Sequence, residues 1–122
     1  MSTMERILYV EDEEDIRSVA QLALESVGGF TLKSCASGEE ALREAEAFAP
    51  DLILLDVMMP GMDGPSTLRA LREIPALADV PVAFMTAKVQ PAEIAYFKSL
   101  GARKVIAKPF DPMTLAETVR DI

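Results

Sequence analysis

Short apolar runs alternate along this chain with segments that have the period of an amphipathic helix. Strands that alternate with helices form βαβ units, so the pattern predicts an α/β fold with a parallel sheet. The apolar centres of the runs are typical of strands buried on both faces. The second run carries the weakest signal. The predicted strands are Arg6–Val10, Thr31–Cys35, Leu52–Leu55, Val82–Met85 and Val105–Ala107.

The first of five predicted helices follows the first strand and carries an apolar stripe. Leu22 points away from this stripe, and Gly28-Gly29 provides the signal that ends the helix. The residues of the stripe recur every three or four positions and are Ile16, Val19, Ala20, Ala23 and Val27.

Local signals also mark the starts of the other four helices. Ser37, with Glu40 three residues later, is the signature of a capping box at the second helix. Pro65 and Pro91 are each well placed in the first turn of a helix. We expect the last helix to open at Asp111.

Length and charge limit the classes of function that are open to the chain. Its 122 residues fit one domain over residues 1–122. The 20 acidic and 12 basic residues give a net charge of −8, and this field disfavours direct binding to nucleic acid or to a membrane. The lone Cys35 indicates a reducing compartment, most simply the cytoplasm. No stretch reads as a signal peptide or a membrane span.

Polar residues follow four of the predicted strands at the point where each strand ends. Because the carboxyl ends of parallel strands share one edge of a sheet, we expect these side chains to meet in one pocket. Acids, a hydroxyl and an amine together suit a divalent cation and a phosphoryl group. The residues are Glu11-Asp12 after the first strand, Asp56 after the third, Thr86 after the fourth and Lys108 after the fifth.

The acidic residues of this set predict a site for Mg²⁺. In a sheet with the strand order 2-1-3-4-5, Asp12 and Asp56 lie side by side in the crevice between the first and third strands. Two carboxylates about 4 Å apart repel by about 4 kcal/mol at an effective dielectric constant of about 20, and Glu11 adds to that repulsion. Mg²⁺ relieves it, since this ion prefers oxygen ligands and shares its coordination sphere with phosphate oxygens. Mn²⁺ suits the same ligands.

The same residues suit the transfer of a phosphoryl group to Asp56. With its charge screened by the cation, an Asp56 oxygen acts as the nucleophile and forms an acyl phosphate. Lys108 supplies a positive charge and Thr86 a hydroxyl to the remaining phosphoryl oxygens. Taken singly, each residue has an ordinary structural role, such as a helix cap for Asp12. We prefer the functional interpretation because the signals occur in order, one after each of four strands.

Four segments together resemble the receiver domain of two-component response regulators. They are Glu11-Asp12, the string from Leu54 to Gly64, Met85-Thr86-Ala87 and Lys108-Pro109-Phe110. The resemblance covers essentially the whole chain. It implies a flavodoxin-like, doubly wound (βα)5 sandwich with a five-stranded parallel sheet in the order 2-1-3-4-5.

The resemblance also implies a role for each site residue. It implies that Asp56 is the phosphoacceptor, that Thr86 is the switch hydroxyl and that Lys108 contacts the phosphoryl group. It implies a cis peptide bond between Lys108 and Pro109. The implied metal ligands are Glu11, Asp12, Asp56 and the backbone carbonyl of Met58.

The partners and the output are implied in the same way. The phosphodonor is a sensor histidine kinase or a histidine phosphotransfer protein. Because it lies off the apolar stripe of the first helix, Leu22 is a weak candidate for docking this donor. The domain is expected to promote its own phosphorylation without being an enzyme, and phosphorylation is expected to shift the surface of the fourth helix, fifth strand and fifth helix. Slow dephosphorylation is predicted from two residues, because Met58 and Lys88, two positions after Asp56 and Thr86, have side chains that position water poorly. Receivers usually carry an aromatic residue where this chain has Val105, so either Thr86 and the following loop act alone or Tyr96 or Phe97 substitutes. The output is an unidentified partner or an effector beyond this chain.

Three rival functions remain open, each with an argument against it. A phosphatase of the haloacid-dehalogenase kind expects a second aspartate two residues after the nucleophile, where this chain has Met58. A flavodoxin-like binder needs small or hydroxyl residues after the first strand to bind phosphate, and the chain has acids there. An interaction domain that has lost phosphorylation would not be expected to keep all four polar signals.

Overall fold

The computed structural model describes residues 5–122, so the first four residues of the predicted domain lie outside the described range. Its five strands form one parallel sheet in the order β2-β1-β3-β4-β5, which confirms the predicted doubly wound, flavodoxin-like fold. The strands are β1 (Arg6–Val10), β2 (Thr31–Cys35), β3 (Leu52–Asp56), β4 (Val82–Thr86) and β5 (Lys104–Ala107). The helices are α1 (Glu14–Leu22), α2 (Gly38–Phe48), α3 (Gly64–Arg72), α4 (Pro91–Ser99) and α5 (Leu115–Arg120).

Helices cover both faces of the sheet and divide the core into two layers. Alternate residues of the central strand β3 point to opposite faces, so Leu52 and Leu54 pack with α1 and α5, whereas Ile53 and Leu55 pack with α2, α3 and α4. All five residues of β3 are buried. This explains the unbroken apolar run, because a strand covered on both faces has no solvent side to alternate with. Within residues 5–122, no helix is long and apolar enough to span a membrane.

The predicted apolar stripe of the first helix is partly wrong. Val19 and Val27 are 45% and 54% exposed, whereas Leu24, which the stripe omits, is fully buried. For Leu24 and Val27 the cause is a π-helical turn over Ala23–Val27 that continues α1, whereas Val19 lies before this turn and its exposure has no such explanation. A π turn holds more residues than an α turn, so it rotates the following side chains out of the 3.6-residue phase. Leu22 is exposed, as its position off the stripe predicts.

The predicted helix starts hold for α2, α3 and α4 but not for α5. The Ser37 side chain accepts a hydrogen bond from the Glu40 amide at 3.1 Å, and Pro65 and Pro91 lie in the first turns of α3 and α4. The fifth helix begins only at Leu115. Before it, the Asp111 carboxylate accepts a hydrogen bond from the Met113 amide at 2.9 Å, so Asp111 organises a separate turn.

Candidate functional site

The register of the sheet brings the polar strand ends together at one edge. Val10 lies opposite Leu55 in the β1–β3 pair, so Glu11 and Asp56 leave adjacent strands at the same level. On the other side of β3, Thr86 closes β4, and its carbonyl accepts a hydrogen bond from the Lys108 amide at 2.9 Å. The four polar signals therefore converge where the strands end.

Three carboxylates form an acidic cluster in this crevice. Glu11, Asp12 and Asp56 each offer one oxygen, and these oxygens lie within 4.8 Å of one another. Glu11 is fully buried, Asp56 is 3% exposed and Asp12 is half-buried. Oxygen atoms of this charge and spacing fit Mg²⁺ or Mn²⁺, which are hard cations that prefer carboxylate ligands.

Lys108 bridges two of the three acids. Its Nζ donates to Glu11 Oε1 at 2.8 Å and to Asp56 Oδ1 at 2.9 Å. Although burial opposes its charge, these hydrogen bonds hold the pKa of Lys108 above its usual value. The ammonium therefore stays protonated and offsets part of the negative charge that converges here.

Asp56 titrates closer to neutral pH than an ordinary aspartate. Burial raises its pKa from 3.8 to about 6, the Lys108 hydrogen bond opposes that rise, and the negative charge of Glu11 adds to it. Asp56 is thus largely ionised at neutral pH. Because its charge is poorly solvated, a cation that compensates the charge should bind favourably.

The turn between β1 and α1 holds the buried acid in place. Glu11 Oε2 accepts a hydrogen bond from the Glu13 amide at 3.2 Å, and the Arg17 guanidinium donates to the Glu11 carbonyl at 2.7 Å. The N-cap position of α1 is Glu13, whose side chain makes no capping hydrogen bond. The ordinary role considered for Asp12, a helix cap, is therefore wrong.

Thr86 and Met58 lie next to the end of β3, on the neighbouring strand and on the following loop. Thr86 is 3% exposed, and its Oγ1 accepts a hydrogen bond from the Lys88 amide at 3.0 Å. The Met58 side chain is 70% exposed on the loop that follows β3. The peptide bond from Lys108 to Pro109 is cis, as the resemblance implies.

Comparison with known proteins decides the family. A sequence model described as the response regulator receiver domain matches residues 7–120. The chain belongs to this family. The receiver is also 35% identical over its whole length to the transcriptional regulatory protein CseB of Streptomyces coelicolor, of which it covers 50%. It is 38% identical, over 96% of its length, to the alkaline phosphatase synthesis transcriptional regulatory protein PhoP of Bacillus subtilis, of which it covers 48%. The chain thus spans about half the length of these relatives.

Solved structures of similar sequence share the fold of this receiver. The chemotaxis protein CheY4 of Vibrio cholerae superposes with a TM-score of 0.90 at 31% identity, over 98% of this chain and 99% of the other. A putative response regulator from Chloroflexus aurantiacus gives a TM-score of 0.86 at 29% identity, over 98% and 97%. The domain is therefore a signalling domain of the two-component response regulators.

The residues considered as substitutes for the aromatic switch lie in different environments in this receiver. Val105 is half-buried on β5. Phe97 is buried, and its ring centroid lies 5.2 Å from that of Phe84, whereas Tyr96 is 52% exposed. Movement of the exposed Tyr96 side chain would break fewer contacts than movement of the buried Phe97 side chain.

Sequence analysis missed one residue that shapes the loop after β3 and one buried polar group in β1. A Cβ on Gly64 would lie 2.6 Å from the Asp56 carbonyl oxygen, so only glycine lets the loop after β3 return so close to the strand end. Its position between Asp63 and Pro65 is the signal that could have identified it. The second is Tyr9. It carries a hydroxyl in a strand that is otherwise apolar, and the sequence pattern does not indicate a polar group there.

Proposed function

We propose that residues 1–122 are a single receiver domain that accepts a phosphoryl group on Asp56. The donor is the phosphohistidine of a sensor histidine kinase or of a histidine phosphotransfer protein. The observation that carries this proposal is the meeting of three carboxylates with the Lys108 ammonium at one edge of the sheet. Membership of the receiver family supports the reaction type.

The chemistry follows from the state of Asp56. Its carboxylate is largely ionised at neutral pH, so no base is needed to activate it. An Asp56 oxygen attacks the phosphorus, and a P–O bond forms as the P–N bond of the phosphohistidine breaks. The electron pair of that bond goes to the imidazole nitrogen, which takes a proton from water. Asp56 is then an acyl phosphate.

The surrounding residues stabilise the charge of that product. Glu11, Asp12, Asp56 and the Met58 backbone carbonyl are the proposed ligands of Mg²⁺, which when bound supplies positive charge against the phosphoryl oxygens. Lys108 already contacts Asp56, and in the product it donates to a phosphoryl oxygen.

Thr86 provides the proposed link to the output surface. Its hydroxyl accepts a hydrogen bond from the Lys88 amide, so a turn of that hydroxyl towards the phosphoryl group frees the start of the loop before α4. The surface of α4, β5 and α5 then shifts between two populated states. Equal amide chemical shifts on this surface with and without an acyl-phosphate mimic would contradict the mechanism.

The output itself has two candidates. Because the curated relatives are named transcriptional regulators and are about twice as long, an effector outside this chain that controls transcription is one of them. The other is a separate partner protein. The net charge of −8 argues against direct contact between this domain and nucleic acid.

Intact-mass measurement tests the phosphoacceptor. Incubation with acetyl phosphate and MgCl₂ should add one phosphate to the parent and none to Asp56→Asn. Asp121→Asn, which removes an exposed carboxylate far along the chain, should be phosphorylated like the parent. Phosphate on Asp56→Asn would refute the assignment, and steady turnover of a phosphoester would indicate a phosphatase instead.

A further inference from the structure

The Tyr9 hydroxyl is buried in the core of the domain without a hydrogen-bond partner. Tyr9 is fully buried, and among residues 5–122 no donor or acceptor pairs with its hydroxyl. A buried hydroxyl that has lost its hydration and gained no partner is unfavourable, and native structures rarely contain one without a reason. The other tyrosine, Tyr96, is half exposed and serves as its natural comparison.

The position of Tyr9 connects this hydroxyl to the acidic crevice. Successive residues of a strand point to opposite faces, so Tyr9 and Glu11 point to the same face and are about 7 Å apart along the strand. Tyr9 also lies opposite Leu54 in the register, two residues before Asp56. Tyr9 therefore belongs to the layer of side chains directly beneath Glu11 and Asp56.

Electrostatics agree with that placement. Burial raises the pKa of Tyr9 well above its usual range, and the negative charges of Glu11 and Asp56 add to the rise. A neutral phenol beside carboxylates can only be useful to them by donating a hydrogen bond.

The Glu11 carboxylate has room for this donor. Glu11 Oε1 accepts from Lys108 and Oε2 accepts from the Glu13 amide, whereas a carboxylate has about four acceptor positions. Under the proposed function, Mg²⁺ also binds Glu11, and a cation there competes with the Lys108 ammonium for the Glu11 carboxylate oxygens. Glu11 is fully buried, so it then needs another donor to hold its orientation.

We propose that Tyr9 is a positioning residue for the metal site: its hydroxyl donates to the Glu11 carboxylate in the metal-loaded domain and has no partner in the metal-free one. This inference rests on the proposed Mg²⁺ site. The hydrogen bond of this core residue thus depends on whether the crevice above it holds a metal ion.

The inference predicts that Tyr9→Phe does not destabilise the metal-free domain but weakens its binding of Mg²⁺. In chelator, removal of an unpartnered hydroxyl should leave the thermal midpoint unchanged or raise it by a few degrees. In MgCl₂, loss of the Glu11 hydrogen bond should raise the Kd for Mg²⁺ by about threefold to tenfold. A purely structural tyrosine would lower the midpoint and leave the Kd unchanged.

The experiment is a titration of the thermal midpoint with MgCl₂ for the parent and three variants. Tyr96→Phe removes an exposed phenol and should change neither quantity. Ile7→Val, two residues earlier on the same face of β1, should lower the midpoint and leave the Kd unchanged. In the Tyr96→Phe protein Tyr9 is the single remaining tyrosine, so the movement of its Cζ resonance on addition of MgCl₂ reports the new hydrogen bond directly.

Each result decides between the alternatives. A raised Kd, with a midpoint in chelator that is not lowered, supports the inference. An unchanged Kd in Tyr9→Phe overturns it, and so does a lowered midpoint in chelator, because that would mean that the hydroxyl already has a partner. If the parent itself shows no effect of Mg²⁺, it is the proposed metal site that fails.

Discussion

Replacement of Asp56 by asparagine should stabilise the metal-free domain at neutral pH. Burial raises the pKa of Asp56 from 3.8 to about 6, so between these values the folded chain holds a proton that the unfolded chain has lost. The folded state then binds more protons, and stability falls as pH rises through this window. At about 1.4 kcal/mol per pH unit, the loss amounts to about 3 kcal/mol once pH is above the folded-state value. Asparagine has no carboxyl proton to lose, so the variant avoids this loss of stability.

The assay is urea unfolding of the parent and Asp56→Asn in chelator across a pH series. Asp56→Asn should be more stable by about 3 kcal/mol near pH 7.5 and by only about 1 kcal/mol near pH 4.5. Asp121→Asn controls for the loss of one carboxylate at an exposed position. A stability difference that is equal at both ends of the series, or an Asp56→Asn protein less stable than the parent at neutral pH, would refute the reasoning.

Three further predictions concern the neighbours of Asp56. Gly64→Ala should lower the free energy of unfolding by about 1–3 kcal/mol, since its Cβ meets the Asp56 carbonyl oxygen at 2.6 Å; a urea midpoint equal to the parent's would count against this. Lys108→Ala leaves Glu11 and Asp56 without their cation, so we expect a loss of about 3 kcal/mol or more in chelator, of which MgCl₂ recovers a part; a loss that MgCl₂ does not reduce would contradict it. Met58→Asn should shorten the lifetime of the phosphorylated protein, followed by intact mass, because an amide positions water better than a thioether; decay no faster than the parent's would show otherwise.

The sequence predicts the fold well because the central strands leave little choice. The run from Leu52 to Leu55 is apolar without a break, and its short length between Pro50 and Pro60 favours a strand covered on both faces over a buried helix. Parallel strands also place their carboxyl ends together, which is why Glu11, Asp56 and Lys108 could be grouped before any contact was known. The strand order does not follow from this pattern, and its correct prediction depends on the resemblance to the receiver family.

The errors lie where a local interaction changes the phase or start of a helix. The π turn after Leu22 depends on the packing of the α1 end and has no sequence signature in the 3.6-residue period, so Val27 was assigned to the wrong side. At α5, the carboxylate of Asp111 closes a turn before the helix begins. The hydrogen bonds of Lys108 to two acids at once depend on side-chain conformation, which residue spacing does not specify.

The bridge that Lys108 forms between Glu11 and Asp56 makes the domain its own source of counter-charge. With this internal counter-charge the domain does not need a divalent ion to stay folded, so under the proposed function the supply of Mg²⁺ governs phosphorylation and not stability. Under the same proposal, such a receiver domain stays folded and unphosphorylated until its phosphodonor becomes active.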